Sequence, residues 1–208
     1  MHISEGVLSA PVLLTGGAFT AAGVAVGLKT MDEKDIPKTA IIASTLFVAS
    51  LIHLPLGPTS VHLMLNGIAG MILGWKIFPA LLVSYFLQSI LFQFGGLTAL
   101  GVNVFNVALP GIIIYYIFGL FKNKENKLYI GVGSFIAGAG AVFLTALLVA
   151  LSLNFTDQAF RETAKMAVIS HLPVMIIEGI IGIFVVIFIK KVKPEIIKEG
   201  QDNEIKLK

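Results

Sequence analysis

The sequence predicts an all-α integral membrane protein of about seven transmembrane helices, with its N-terminus outside and its C-terminus inside. Three observations carry that expectation: the composition, the spacing of the apolar runs and the placement of the lysines. Of the 208 residues, 56% are hydrophobic and 13% charged, where soluble chains average about 25% charged. Mean hydropathy is +0.91. The chain has no cysteine, which removes disulfides and thiolate metal sites from consideration. A net charge of +3 is too small to argue for nucleic acid, and the positions of the basic residues point to orientation in lipid instead.

A helix that crosses the hydrocarbon needs about 20 apolar residues. Seven runs qualify, at roughly 7–28, 36–54, 61–75, 78–95, 103–121, 128–153 and 171–191. The third is short, bounded by "LPLGPTS" in front and by Lys76 and Pro79 behind. It is expected to begin inside the membrane, with irregular backbone buried in protein. Residues 155–170, "FTDQAFRETAKMAVIS", alternate polar and apolar positions at helical spacing and predict a separate amphipathic helix at the interface. The glycine pairs Gly23/Gly27 and Gly70/Gly74 read as close helix-packing positions. The chain divides into one membrane domain, 1–192, and a charged cytoplasmic tail, 193–208.

Seven crossings place the termini on opposite sides. With Met1 outside, thirteen of the fifteen basic residues fall inside, leaving only Arg161 and Lys165 outside. That is a strong positive-inside bias. The same orientation puts all four histidines, His2, His53, His62 and His171, on the outer side.

The chain opens "MHISEG", with no basic leader of the kind a secretory signal would show. A bulky second residue predicts that Met1 is retained, so the mature chain would start with a free methionine amine. That amine, the backbone nitrogen of His2 and the His2 imidazole can close two fused chelate rings in one plane. Such all-nitrogen planes suit Cu(II) and Ni(II), whereas zinc prefers a tetrahedron. One corner stays open. The best candidate for it is His62 in "IHLPLGPTSVHLMLNG", expected in the first turn of the short third helix. Pro55, Gly57 and Pro58 force a turn between His53 and His62.

His171 and Glu178, in "HLPVMIIEGIIG", are seven apart and share a helix face. A carboxylate about two turns into a span is by default functional, and Glu178 is expected to hold a ligand histidine or a segment closing over the site rather than the ion itself. Asn103 and Asn106 either hydrogen-bond the N-terminal segment or join helices.

Four stretches, "MHISEG", "HLPLGPTSVH" at 53–62, "FGGLTALGVN" at 94–103 and "HLPVMIIEG" at 171–179, resemble the CbiM/NikM family along Met1 to about Lys191. These are substrate-binding membrane components of energy-coupling-factor cobalt and nickel uptake transporters. The resemblance implies an N-terminal segment, 1–6, that plugs into the membrane domain. It implies an ion held by the Met1 amine, the His2 amide nitrogen, the His2 imidazole and His62, with His53, His171 and Glu178 as motif positions of no assigned ligand role; these three, with Asn103 and Ser60, are expected either to support the ligands or to bind the ion. "GPTSVH" is similar to the nickel-type wording, which favours Ni2+ over Co2+ as the transported substrate. A cobalt-specific member supplying cobalamin synthesis is the alternative.

The implied partners are a transmembrane coupling subunit, two cytoplasmic ATP-binding cassette ATPases and a small additional membrane subunit on a separate chain, in the cell membrane of a prokaryote. The chain is not expected to be an enzyme, since it carries no Walker A pattern and no H-E-x-x-H pair. A proton-coupled secondary permease would need a relay of ionisable residues across the bilayer, and Glu178 is the one clear intramembrane carboxylate. A vitamin-binding component would call for an aromatic, polar pocket instead of histidines.

Overall fold

The computed structural model describes residues 2–56, 59–121 and 126–197, with backbone alone for 53–56, 59–61 and 127. Met1 and residues 198–208 of the predicted tail lie outside the described residues. Among the described residues there are seven α-helices: α1 (Ala10–Lys29), α2 (Ile36–Ala49), α3 (Asn66–Leu73), α4 (Ile77–Phe92), α5 (Leu100–Gly119), α6 (Lys127–Thr156) and α7 (Arg161–Val192). A short antiparallel hairpin, β1 (His53–Leu56) and β2 (Thr59–His62), joins α2 to α3. Five helical stretches are long and apolar enough to cross a membrane: Ala10–Lys29, Asn66–Phe92, Leu100–Gly119, Leu128–Thr156 and Gln158–Val192.

The helices alternate in direction. α3 runs alongside α5, since Asn66 reaches Val107 at one end while Trp75 Nε1 donates to the Tyr116 hydroxyl at the other. The chain then turns at Gly74, whose φ of 55° and ψ of −132° suit only glycine. α4 returns, and the Glu5 N–H donates to the Gly95 carbonyl just past its end, at 2.7 Å. α6 and α7 are antiparallel, with Gly138 against Glu178 and Gly182 against Ser134. One end of the bundle therefore gathers the starts of α1, α3, α5 and α7. Lys29, Lys34, Lys38, Lys76, Lys190, Lys191 and Lys193 gather at the other.

α3 is buried at all eight of its residues, so it forms the central post of the bundle. Leu14, Phe19, Phe184 and Phe188 lie on the outside. In water such a surface would be a liability, whereas a bilayer solvates it. At the end away from the hairpin, the buried Asp35 accepts from Lys76 Nζ at 2.9 Å and pairs with Lys38 at 3.3 Å. This cluster ties the α1–α2 connection to the turn between α3 and α4.

Three sequence expectations are corrected. The second and third runs do not meet as helices near residue 60: α2 stops at Ala49, and His62 is the last residue of β2, four positions before α3 begins. The described residues on either side, 53–56 and 59–62, form a two-stranded ribbon, which pairs His53 with His62; Gly57 and Pro58 lie outside the described residues. Nor does residue 171 start a new helix. α6 extends to Thr156, the Asp157 side chain accepts from Ala159 N–H to make the corner, and α7 runs unbroken through Pro173. At 32 residues α7 is about 48 Å long, so its polar first turns outreach the hydrocarbon and the amphipathic stretch is simply its start. Finally, Gly74 is a turn residue and not a packing position within a helix.

Candidate metal site

The site begins with the chain's first described residue. Asn103, on the first turn of α5, clamps the Ile3 peptide from both sides. Ile3 N–H donates to Asn103 Oδ1 at 2.9 Å, and Asn103 Nδ2 donates to the Ile3 carbonyl at 3.0 Å. Glu5 is held at both N–H and carboxylate, the latter accepting from Thr98 N–H at 3.3 Å. Ser9 N–H donates to Thr156 Oγ1 at 3.3 Å. Ile3 and Leu8 are buried with Ala99, Val102, Val149 and Leu153. Gly95 makes the fit possible, because its φ is +79° and a Cβ there would stand 3.0 Å from Asn103 Nδ2 and 3.3 Å from His2 Cβ.

This clamp carries the His2 ring into the bundle. It stacks on the His62 ring with centroids 5.0 Å apart and planes 23° apart. Tyr85 of α4 meets it edge-on at 4.4 Å, and Phe94 stacks at 6.4 Å. Two nitrogens bound to one first-row ion lie at most about 4 Å apart. The stack, with ring centroids 5.0 Å apart, sets two imidazoles side by side at the site.

His62 is 4% exposed, and its Nδ1 lies 3.0 Å from the Leu63 carbonyl. A carbonyl only accepts, so Nδ1 is the donor and the lone pair of the neutral ring sits on Nε2. That is the tautomer a metal ligand needs, set by a backbone group. The turn behind His62 is held from three helices. Glu178 of α7, itself buried, accepts from the Met64 N–H and from the Leu65 N–H, the latter with both oxygens at 3.1 and 3.0 Å. Asn66 Nδ2 donates to the Val107 carbonyl of α5 and to Thr145 Oγ1 of α6, each at 3.0 Å. Leu65 sits in the left-handed region at φ 49°, a conformation that costs a leucine about 1–3 kcal/mol and needs such support.

Thus the structure brings His2 and His62 together. It sets Asn103 on the N-terminal segment, and Glu178 on the turn after His62 rather than on a histidine. Asn106 joins helices, donating to Ser152 Oγ at 3.1 Å. His171 is fully buried; its Nδ1 lies 2.6 Å from the Ala167 carbonyl, and its Nε2 meets no hydrogen-bond partner among the described residues. Met1 lies outside the described residues, as do the side chains of His53 and Ser60. Among the described residues, no group of three or more His, Cys, Asp or Glu side chains is placed to hold an ion.

Sequence reasoning missed Tyr85, which meets the His2 ring, and Gly95, which leaves room for it.

Comparison with known proteins follows the same lines. The family model for CbiM, described as a cobalt uptake substrate-specific transmembrane region, matches residues 2–196. A Haemophilus influenzae protein named for metal transport is 39% identical over 209 residues, covering 97% of this chain and 99% of that one. The fused nickel transport protein NikMN of Rhodobacter capsulatus is 30% identical over 177 residues, 79% of this chain and 50% of the relative. A crystal structure of a truncated transition metal transporter superposes with a TM-score of 0.74 at 26% identity, over 92% of this chain and 99% of that one. The chain is a multi-pass membrane protein and a transport component, not an enzyme, and it belongs to the CbiM/NikM family of cobalt and nickel uptake proteins.

Proposed function

We propose that this chain captures Ni2+, with Co2+ next in preference, on the outer face of the membrane and presents it for ATP-driven import. The ion is held in a plane of four nitrogens: the Met1 amine, the His2 amide nitrogen, the His2 imidazole through Nδ1, and His62 Nε2. The observation that carries this reading is the stack of the half-buried His2 on the buried His62, 60 residues apart in the chain, with the N-terminal segment clamped to keep it there. Described side chains alone do not make up a donor set, so backbone nitrogen is the natural supplement. A deprotonated amide favours a planar-field ion, which is the argument for nickel. The matching family model is named for cobalt and one relative for nickel.

In this reading Met1 is outside, the α3–α4 turn and the lysine-rich end are inside, and seven helices cross or enter the membrane within domain 1–192, followed by tail 193–208. Lysine placement supports that orientation, because seven described lysines share the end opposite the site, while Arg161 and Lys165 stand at the site end. Work comes from separate chains: a transmembrane coupling subunit, ATP-binding cassette ATPases and a small additional membrane subunit. Release follows withdrawal of the N-terminal segment, which removes three of four donors at once, and reprotonation of those donors completes it. In this reading His53, His171 and Ser60 belong to the surroundings of the site, the side chains of His53 and Ser60 lying outside the described residues.

The test is a titration of the chain, tagged at its C-terminus, with Ni(II) and Co(II), before and after one residue is added ahead of Met1. The native chain is expected to bind one ion with the absorption spectrum of a planar nitrogen site, and the extended chain to lose that spectrum. Equal binding by both would overturn the N-terminal chelate.

A further inference from the structure

A chelate through His2 Nδ1 makes a demand that the four ligands do not meet. When one imidazole nitrogen binds metal, the other carries its proton, and a buried N–H requires an acceptor. His62 has the Leu63 carbonyl for this purpose, at 3.0 Å. His2 needs an acceptor reached from Nε2, on the side of its ring away from the backbone.

Gln88 supplies one. It lies on α4, wholly buried, and its side-chain amide is already oriented: Nε2 donates to Ser84 Oγ at 3.0 Å, which turns Oε1 the other way. Oε1 is buried and has no hydrogen-bond donor among the described residues. A buried amide oxygen left without a donor destabilises the fold, so a native core retains one only where something else completes it. Two neighbours locate Gln88 relative to His2. Tyr85, one helical turn before it, has its ring edge-on to His2 at 4.4 Å. Phe94, whose N–H donates to the Gln88 carbonyl at 3.3 Å, stacks on His2 at 6.4 Å. The ring of His2 is therefore flanked by the two residues that flank Gln88.

We infer that Gln88 is a positioning residue for metal capture: its Oε1 accepts the Nε2 proton of His2 in the metal-loaded protein and so holds His2 in the tautomer that offers Nδ1 to the ion. The inference rests on the planar chelate proposed above. It also gives α4 a role, because the α4 end that carries Tyr85, Gln88 and Phe94 becomes one wall of the site.

The experiment titrates Ni(II) into the full chain carrying Gln88→Leu, Gln88→Glu or His2→Ala, reading affinity, the ligand-field absorption band and the thermal midpoint of the metal-free protein. Loss of a partner to a metal-bound histidine weakens affinity about 10–100-fold. That loss is expected for Gln88→Leu, with a shifted absorption band. Gln88→Glu keeps an acceptor at the same position and is expected to restore both. If Gln88→Leu binds like the native chain while His2→Ala does not bind, the Gln88 inference is overturned and the chelate stands. If both Gln88 variants lose affinity in step with the metal-free thermal midpoint, Gln88 is only packing and the inference is again overturned. Native affinity in His2→Ala would overturn the chelate itself, and this inference with it.

Discussion

Replacing Asn103 by alanine should unseat the N-terminal segment while leaving the membrane domain intact. The magnitude follows from the two hydrogen bonds it makes to one buried peptide. In the variant the Ile3 N–H and carbonyl stay buried whenever the segment is seated, with neither partner left. Each buried, unsatisfied polar group costs about 1–3 kcal/mol, so the seated state is penalised by about 2–6 kcal/mol. Unseated, both groups reach water and the penalty vanishes. The penalty therefore falls on the seating equilibrium and not on the fold. At 1.4 kcal/mol per decade it lowers the seated-to-unseated ratio by about 30-fold or more. Apparent affinity scales with the competent fraction, so Ni(II) binding should weaken by about threefold or more even if the native seated state starts with an excess of about a decade. Two measurements check this. One is a Ni(II) titration. The other is the acylation rate of the Met1 amine, followed by mass spectrometry of the N-terminal peptide, which should rise as the segment spends time outside. Asn106→Ala is the control, because that amide bonds Ser152 and not the segment. Native affinity and native labelling in Asn103→Ala would refute the reasoning, since the clamp would then contribute nothing to seating.

Two further outcomes follow from the same geometry. Glu178→Gln leaves one acceptor oxygen for the Met64 N–H and turns an NH2 group toward the Leu65 N–H, which the carboxylate now meets with both oxygens; it should weaken Ni(II) affinity about 10–100-fold and lower stability by about 1–3 kcal/mol, both read by titration and thermal melt. At the far end, burial pushes the Asp35 carboxyl up, but the hydrogen bonds from Lys76 and the Asp32 N–H, with the charges of Lys76 and Lys38, outweigh it and hold the carboxyl below 3.8. A depressed folded value means that this stabilisation is full above the unfolded value near 3.8 and is lost as pH falls below it through the folded value. Lys76→Ala should cost about 3–5 kcal/mol near neutral pH by leaving a buried carboxylate with only Lys38, and the difference from the native chain in melts across pH should shrink as acid protonates Asp35.

Much of the architecture was legible in one dimension. Apolar runs mark helices because the bilayer demands that each span satisfy its own backbone, and that demand is written locally. Lysines sort by side for the same reason. The family resemblance rests on residues around the histidines, which are local strings too. The errors occurred where a local signal has two three-dimensional meanings. Polar residues at 161–165 and Pro173 read as a helix boundary, yet α7 passes through both, because a helix longer than the membrane is free to be polar where it protrudes. Pro55, Gly57 and Pro58 announced a turn but not the ribbon, since strand pairing depends on a partner chain segment.

The site divides along the same line. Which residues are able to ligate was visible, as His2 and His62 stand in recognisable strings. What orients them was visible only as alternatives, Asn103 for the N-terminal segment or for joining helices and Glu178 for a histidine or a closing segment. No periodicity links Asn103 to the Ile3 peptide 100 residues away, or Glu178 to Met64 across 114. The sequence by itself determined a membrane chain with a histidine-bearing end and a lysine-bearing end, because hydropathy and charge act residue by residue against the solvent. Only the tertiary structure decided that His2 stacks on His62 and that Gln88, Tyr85 and Glu178 belong to the same end. Those are contacts between helices, and their partners are chosen by close packing of the whole bundle rather than by any residue's own preference.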